Sequence, residues 1–194
     1  MALRKIAQLG EPVLRRRAEE LSRDALASAS VQMLIDDLIE TMRDADGAGI
    51  AAPQVFESHR ICVIEVNGTP RYPSFPSLPL LVLVNPVVEA RLVNPLAGPT
   101  PEETVELYEG CLSVRGLRGR VRRPRHVLVN ALDRRGEPVT LDWQGVPAAI
   151  VQHEVDHLDG VLFVDRAEPG SLIFQREFER FVPPEARVID HGRS

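Results

Sequence analysis

His153-Glu154-Val155-Asp156-His157 has the spacing H-E-x-x-H. On a helix, residues four apart share a face, so the two imidazoles would point at one place. Glu154 lies one position round, beside that place. Two neutral imidazoles can hold a divalent ion, and an adjacent carboxylate can move the protons of a water that the ion acidifies. The flanking residues suit a helix: Pro147 fits a first turn, Ala148, Ala149, Ile150 and Val151 continue it, and Gly160 can end it. The competing explanation is a helix that carries His and Glu on a solvated face, so a third ligand has to decide.

Glu109-Gly110-Cys111-Leu112-Ser113-Val114 offers that ligand. A thiolate binds zinc or iron(II) strongly and loses its proton on binding. Cys111 with His153 and His157 makes a Cys-His-His set with one tetrahedral position open, the mark of a catalytic site. The other cysteine, Cys62, sits in the apolar run Arg60–Val66 and reads as core; two such cysteines make no disulfide framework. A third stretch, Gly47-Ala48-Gly49-Ile50-Ala51-Ala52-Pro53-Gln54, describes backbone that something approaches closely. It lacks the third glycine and the Lys-Ser/Thr pair of phosphate loops. Its last residue, Gln54, is a side-chain amide donor.

The elements that must position these groups are partly readable. Leu3 to Leu21 reads as an extended arm and a short helix. From Ser30, Val31, Leu34, Ile35, Leu38, Ile39 and Met42 follow the helical period, with Ser28 or Ser30 as cap and an end at Asp44–Gly47. Residues 67–80 carry Pro70, Pro73, Pro76 and Pro79 at three-residue spacing, which reads as a semi-rigid polyproline excursion. Strand signals cover Leu81–Val84, Val87–Val93, Val127–Leu132 and Val139–Trp143, with a hairpin loop at residues 133–137. Residues 94–103 read as a loop, 161–164 as a strand, and Ser171 as the cap of a last helix through Phe181; the final ten residues read as a loose tail. Short strands with three helices and no βαβ alternation point to an α+β fold. Antiparallel sheets would pack around a central H-E-x-x-H helix, with a long N-terminal amphipathic helix and a C-terminal helix.

The chain has 194 residues, 44% hydrophobic and 26% charged, which fits a single globular domain over 1–194. A formal net charge of −5 gives no global case for DNA or RNA binding. No apolar run reaches membrane-spanning length and no signal peptide is visible, so a cytoplasmic protein without a membrane partner is expected.

The three stretches 47–54, 109–113 and 152–157 together closely resemble the motifs of the peptide deformylases, nearly letter for letter and in the family's order. A looser similarity runs from Gly10-Glu11-Pro12-Val13-Leu14 to Phe178. The resemblance implies removal of the formyl group from N-formylmethionine at the start of nascent polypeptides, releasing formate. It implies Cys111, His153 and His157 as metal ligands, with iron(II) the usual ion and zinc, nickel or cobalt as replacements. Glu154 would be the general base and acid, and the Gln54 amide with the backbone N–H of Leu112 would form an oxyanion hole. Gly49 and its neighbours Ala48 and Ile50 would hold the substrate as an added strand. Gly110 and Arg118 would border the cleft, with Ala48, Ile150 and Val151 as walls for the methionine. Arg123 matches a family arginine that pairs with the motif glutamate, here Glu109.

Arg115 departs from the proline that members often carry. With Arg118, Arg120, Arg122, Arg123 and Arg125 it makes a basic run at 115–125, whose extra arginines read as solvated strand residues or as a contact with ribosomal RNA or an acidic peptide. Some members dock on the ribosome through a basic C-terminal helix; residues 171–194 have four Arg and four acidic residues, so a transient ribosome association would need another mode. Two other readings stay open: a metallopeptidase with Glu177 as third ligand, and an inactive binding module that keeps a metal.

Overall fold

The computed structural model describes residues 2–67 and 75–190. Half of the proline-rich excursion, residues 68–74 with Pro70 and Pro73, lies outside the described residues, as do residues 1 and 191–194.

Two antiparallel sheets carry the chain. In chain order the strands are β1 (Gly49–Ala51), β2 (Ile61–Val66), β3 (Leu78–Ala90), β4 (Thr104–Cys111), β5 (Val114–Pro124), β6 (His126–Leu132), β7 (Pro138–Gln144), β8 (Ile173–Phe174) and β9 (Val188–Asp190). One sheet has the order β1-β2-β3-β6-β7 and the other β8-β5-β4-β9. The helices are α1 (Arg23–Ala27), α2 (Ala29–Asp44), α3 (Val146–Leu158), α4 (Phe163–Arg166) and α5 (Gln175–Phe181).

Helix α2 starts where Ser28 accepts a hydrogen bond from the N–H of Val31. Its apolar stripe, from Val31 to Met42, packs with Ile50, Ile61 and Val63. Cys62 and Ile64 point the other way and pack with Ala148, Val151, Val155 and Leu158 of α3. Strand β2 is thus covered on both faces, which is why Ile61–Ile64 are apolar without a break. Each large side chain buried there contributes about 1.5–3 kcal/mol. Helix α3 touches β1, β2, β3 and β7 of the five-stranded sheet and β5 of the other.

Several local expectations are corrected. The separate strands at 81–84 and 87–93 are one strand, β3, which ends at Ala90. Asn85 takes a left-handed conformation (φ 50°), and its amide is held by the N–H and carbonyl of Leu21, so the strand passes Pro86 with a shift of register against β6 between Val84 and Val87. Pro79 lies in the same strand rather than in a polyproline segment. Residues 161–164 are not a strand: Phe163–Arg166 form α4, whose start is closed by Asp165 accepting from the N–H of Leu162 at 2.8 Å. Ser171 caps no helix; its hydroxyl accepts from the N–H of Arg120, and α5 starts after Phe174. Residues 188–190 of the expected tail pair with β4 as β9. The longest omission is the hairpin β4–β5, where alternating Glu and Arg obscured the strand pattern.

Candidate metal centre and substrate cleft

The hairpin β4–β5 turns at Leu112-Ser113, since Cys111 pairs with Val114. Cys111 therefore stands at the last position of a strand, with its side chain turned to α3. Its Sγ lies 3.2 Å from His157 Nε2. The ligand atoms of Cys111, His153 and His157 all lie within 4.8 Å of one another. Ligands of a tetrahedral Cys/His zinc or iron site stand about 3.5 Å apart, so the spacing fits a single ion. The donor chemistry fits as well. His153 Nδ1 is 2.8 Å from Glu109 Oε2, which leaves Nε2 for a metal. His157 Nδ1 and Glu154 Oε2 are buried with no hydrogen-bond partner among the described residues. Glu177 is on α5, outside this cluster.

The thiol's surroundings are donors. The N–H of Ser113 reaches Cys111 Sγ at 3.3 Å and Gln54 Nε2 reaches it at 3.5 Å. Gln54 follows β1 in a 3-10 turn, Ala52–Val55. Its Oε1 accepts from the N–H of Ala51 at 2.8 Å, which fixes the other amide atom, Nε2, toward the sulfur and the Ser113 hydroxyl. The Leu112 carbonyl is held by Gln8 Nε2 at 3.0 Å, and the Ser113 carbonyl by the N–H of Leu9. The N-terminal arm thereby clamps the hairpin tip.

Glu154 is buried against β1. A Cβ on Gly49 would sit 2.5 Å from Glu154 Oε1, so only glycine leaves room for the carboxylate. Burial pushes the Glu154 carboxyl up to about 7, against the pull of the His153 charge. Burial likewise opposes ionisation of Glu109, but Arg123 and His153 outweigh it and hold that carboxyl down to about 2. Burial disfavours a charge on His153 as well, yet the Cys111 sulfur and Glu109 carry its pKa well above the usual range. Burial and the neighbouring His153 charge push His157 well below it.

Gln54, Glu109, Cys111, His153 and Glu154 face a cleft, behind which His157 is buried. Ala48, Gly49, Gln54, Gly110, Cys111, Leu112, Arg118, Ile150, His153 and Glu154 all line it. Two expected contacts do not. Ile50 is fully buried on the α2 side of its sheet, because alternation along β1 turns it away from Gly49's neighbours in the cleft. Val151 is buried against the five-stranded sheet. Phe75, Leu107, Tyr108 and Ala149, which the sequence did not single out, supply apolar wall instead. Arg118 donates through Nε to Gln175 at 2.7 Å and lies over the Phe178 ring. Asp156 and Arg166 were also missed; both join the Glu109–Arg123 pair. Ser113 was quoted only as part of a motif, and nothing in its local pattern announced its bond to Gln54.

Among the described residues no helix is long and apolar enough to cross a membrane. Comparison with known proteins agrees with the motifs. The family model described as polypeptide deformylase matches residues 3–171. Peptide deformylase 2 of Nostoc sp. is 40% identical over 178 residues, 91% of this chain and 93% of that protein. The peptide deformylase of Parafrankia sp. is 39% identical over 98% of this chain and 96% of its own length. Among solved structures, a class I type b peptide deformylase from Acinetobacter baumannii with Met-Ala-Ser bound superposes with a TM-score of 0.77 at 39% identity, covering 85% of this chain and 98% of that one. A peptide deformylase from Synechococcus elongatus in complex with actinonin gives 0.70 at 37%, covering 85% and 79%. Three motifs that meet in one cleft and a family match over most of the length place this chain in the peptide deformylase family.

Proposed function

We propose that this chain hydrolyses the formamide of N-formylmethionine at the start of nascent polypeptides, releasing formate and a free amino terminus. The observation that carries this reading is that Cys111, His153 and His157 cluster together, and that Cys111 and His153 share one cleft with Glu154 and Gln54. Cys111 Sγ and the two Nε2 atoms would hold the ion, with iron(II) favoured by the family resemblance and zinc, nickel or cobalt as replacements. When bound, the ion supplies a Lewis acid that acidifies water and draws charge from the formyl oxygen.

The chain's own groups do the rest. Glu154 accepts the proton of the attacking water and returns it to the departing amine. Gln54 Nε2, already oriented through Oε1, donates to the developing oxyanion together with the N–H of Leu112; one such donor is worth about a hundredfold or more in rate. Strand β1 is at the edge of its sheet, so Gly49 and Ala48 can pair with the substrate backbone as an added strand. Phe75, Leu107, Ala149 and Ile150 offer the methionine side chain apolar surface. Gly110 and Arg118 border the peptide beyond it. Residues 1–194 act as one catalytic domain in the cytoplasm, and contact with the ribosome is transient.

The test is formate release from a formyl-Met peptide by protein loaded with metal. Glu154→Gln should lower the rate about 100- to 10,000-fold with metal content unchanged. A wild type that holds metal but releases no formate would favour a binding module. Metal loss in Glu177→Ala but not in Cys111→Ala would favour the metallopeptidase.

A further inference from the structure

Glu109 does not act alone behind His153. Its carboxylate, 2.8 Å from His153 Nδ1, is held by Arg123 through Nε at 2.5 Å and Nη2 at 2.9 Å. The remaining Arg123 nitrogen, Nη1, donates to Asp156 Oδ2 at 2.8 Å. Asp156 in turn accepts from Arg166, Nε to Oδ2 at 2.7 Å and Nη2 to Oδ1 at 2.6 Å. Four charges of alternating sign therefore run from the imidazole to solvent. The inner three are almost buried, whereas the Arg166 side chain is 46% exposed.

Helix α4 supports His153 a second time. The Phe163 ring stacks beside the imidazole, with centroids 6.4 Å apart and planes at 22°. Phe163 and Arg166 are three apart on a helix, so both can turn to the site; in a strand they would face opposite ways.

We propose that Asp156 and Arg166 are positioning residues for the metal centre: through Arg123 and Glu109 they fix the orientation of His153. Arg123 lies between two carboxylates, and its location depends on both. With Asp156 neutral, or with Arg166 gone, the balance shifts and the guanidinium re-centres, which loosens the bond from Glu109 to Nδ1. Partners one step behind a metal-ligating histidine typically change metal affinity 10- to 100-fold. This inference rests on the metal reading of Cys111, His153 and His157.

Asp159, three residues further on, provides the matched control. It pairs with the buried Arg60 at 2.7 Å, and Arg60 also caps the Leu158 carbonyl, but neither connects to Glu109. The experiment measures Co(II) affinity by chelator competition, the Co(II) absorption spectrum and Tm for each variant. Asp156→Asn and Arg166→Gln should weaken Co(II) binding about tenfold and alter the spectrum. Arg166→Lys should restore most of the affinity. Asp159→Asn should lower Tm and leave affinity and spectrum as in the wild type. If Asp156→Asn does not fold, Arg166→Gln, at a half-exposed position, decides. Affinity within twofold of wild type in Arg166→Gln, or equal weakening in Asp159→Asn, would overturn the proposal. A wild type that binds no Co(II) would overturn the metal reading itself, and this inference with it.

Discussion

Strands β4 and β5 carry two arginine–carboxylate networks, one on each face. Alternation turns Glu109 and Arg123 toward α3, while Glu106, Arg120 and Arg122 face outward. The pairs use the same chemistry. Inside, both partners are shut away, the side chains of Arg123 and Glu109 being 3% and 5% exposed; outside, only Glu106 is, at 7%, while Arg122 and Arg120 are 52% and 42% exposed. Glu106 keeps Arg120 if Arg122 is lost, and the freed arginine head is met by water; among the described residues Glu109 has no second arginine on the inner face. The difference shows that burial, rather than the number of ion pairs, decides which of these arginines matters to the site.

The comparison is tested most severely at Arg123. Arg123→Met leaves Glu109 without its guanidinium in the interior and takes one of the two arginines from Asp156, at a cost of about 3–5 kcal/mol. Urea unfolding should report that loss, and Tm should fall by at least about 6 °C. A loss no larger than on the outer face would refute the argument from burial.

The same lack of space governs Glu154. In Gly49→Ala the new Cβ must displace the carboxylate, since it would lie 2.6 Å from the carboxyl carbon. Formate release should fall about 10- to 100-fold, the cost of misplacing a reacting group by about 1 Å. Metal content should not change; unaltered turnover would show that Glu154 can act from another position.

Asp37 has the same mixed burial as Glu106. Its partner Arg4 is 36% exposed, while the Asp37 side chain is 9% exposed. Burial works to raise its pKa, but the N–H of Ala2 and the Arg4 guanidinium outweigh it, so the folded value lies below the ordinary 3.8. A depressed carboxylate contributes stability above its unfolded pKa and loses it as pH falls through the folded value. Asp37→Asn should therefore lower Tm by about 3 °C at neutral pH, for a loss of about 1 kcal/mol. The deficit should shrink below pH 3.8. A deficit that grows on acidification would mean the sign is wrong.

The smallest effect belongs to the outer face. Arg122→Gln should change stability by less than about 1 kcal/mol, less still at high salt. A loss like that of Arg123→Met would erase the contrast between the faces.

Local signals were legible where one element sufficed to produce them. The four-residue step between His153 and His157, the stripe of α2 and the apolar run of β2 each depend on a single periodicity. Cys111 was different: thiolate chemistry proposed it as the third ligand and likeness to a family supported it, but no periodicity could, because 42 residues separate it from His153. The β4–β5 hairpin escaped notice because charged residues occupy both of its faces. Phe163 was misplaced because a short apolar run does not distinguish a strand from one turn of helix, and Arg166, just beyond that run, was assigned to no element. Ile50 was put in the cleft because its motif neighbours are there, although alternation sends it into the core.

By itself, then, the order of residues determined which chemical groups exist and how the nearest of them are spaced, since a helical turn has the same rise in any fold. It also determined the family, through three motifs. Only the tertiary structure decided which arginine of a long basic run is shut away from water, which carboxylate is left without a partner, and which side chains wall the cleft. Those properties belong to the space between two sheets and a helix. Distant segments create that space only when they pack, and solvation of a charge depends on what surrounds it rather than on its neighbours in the chain.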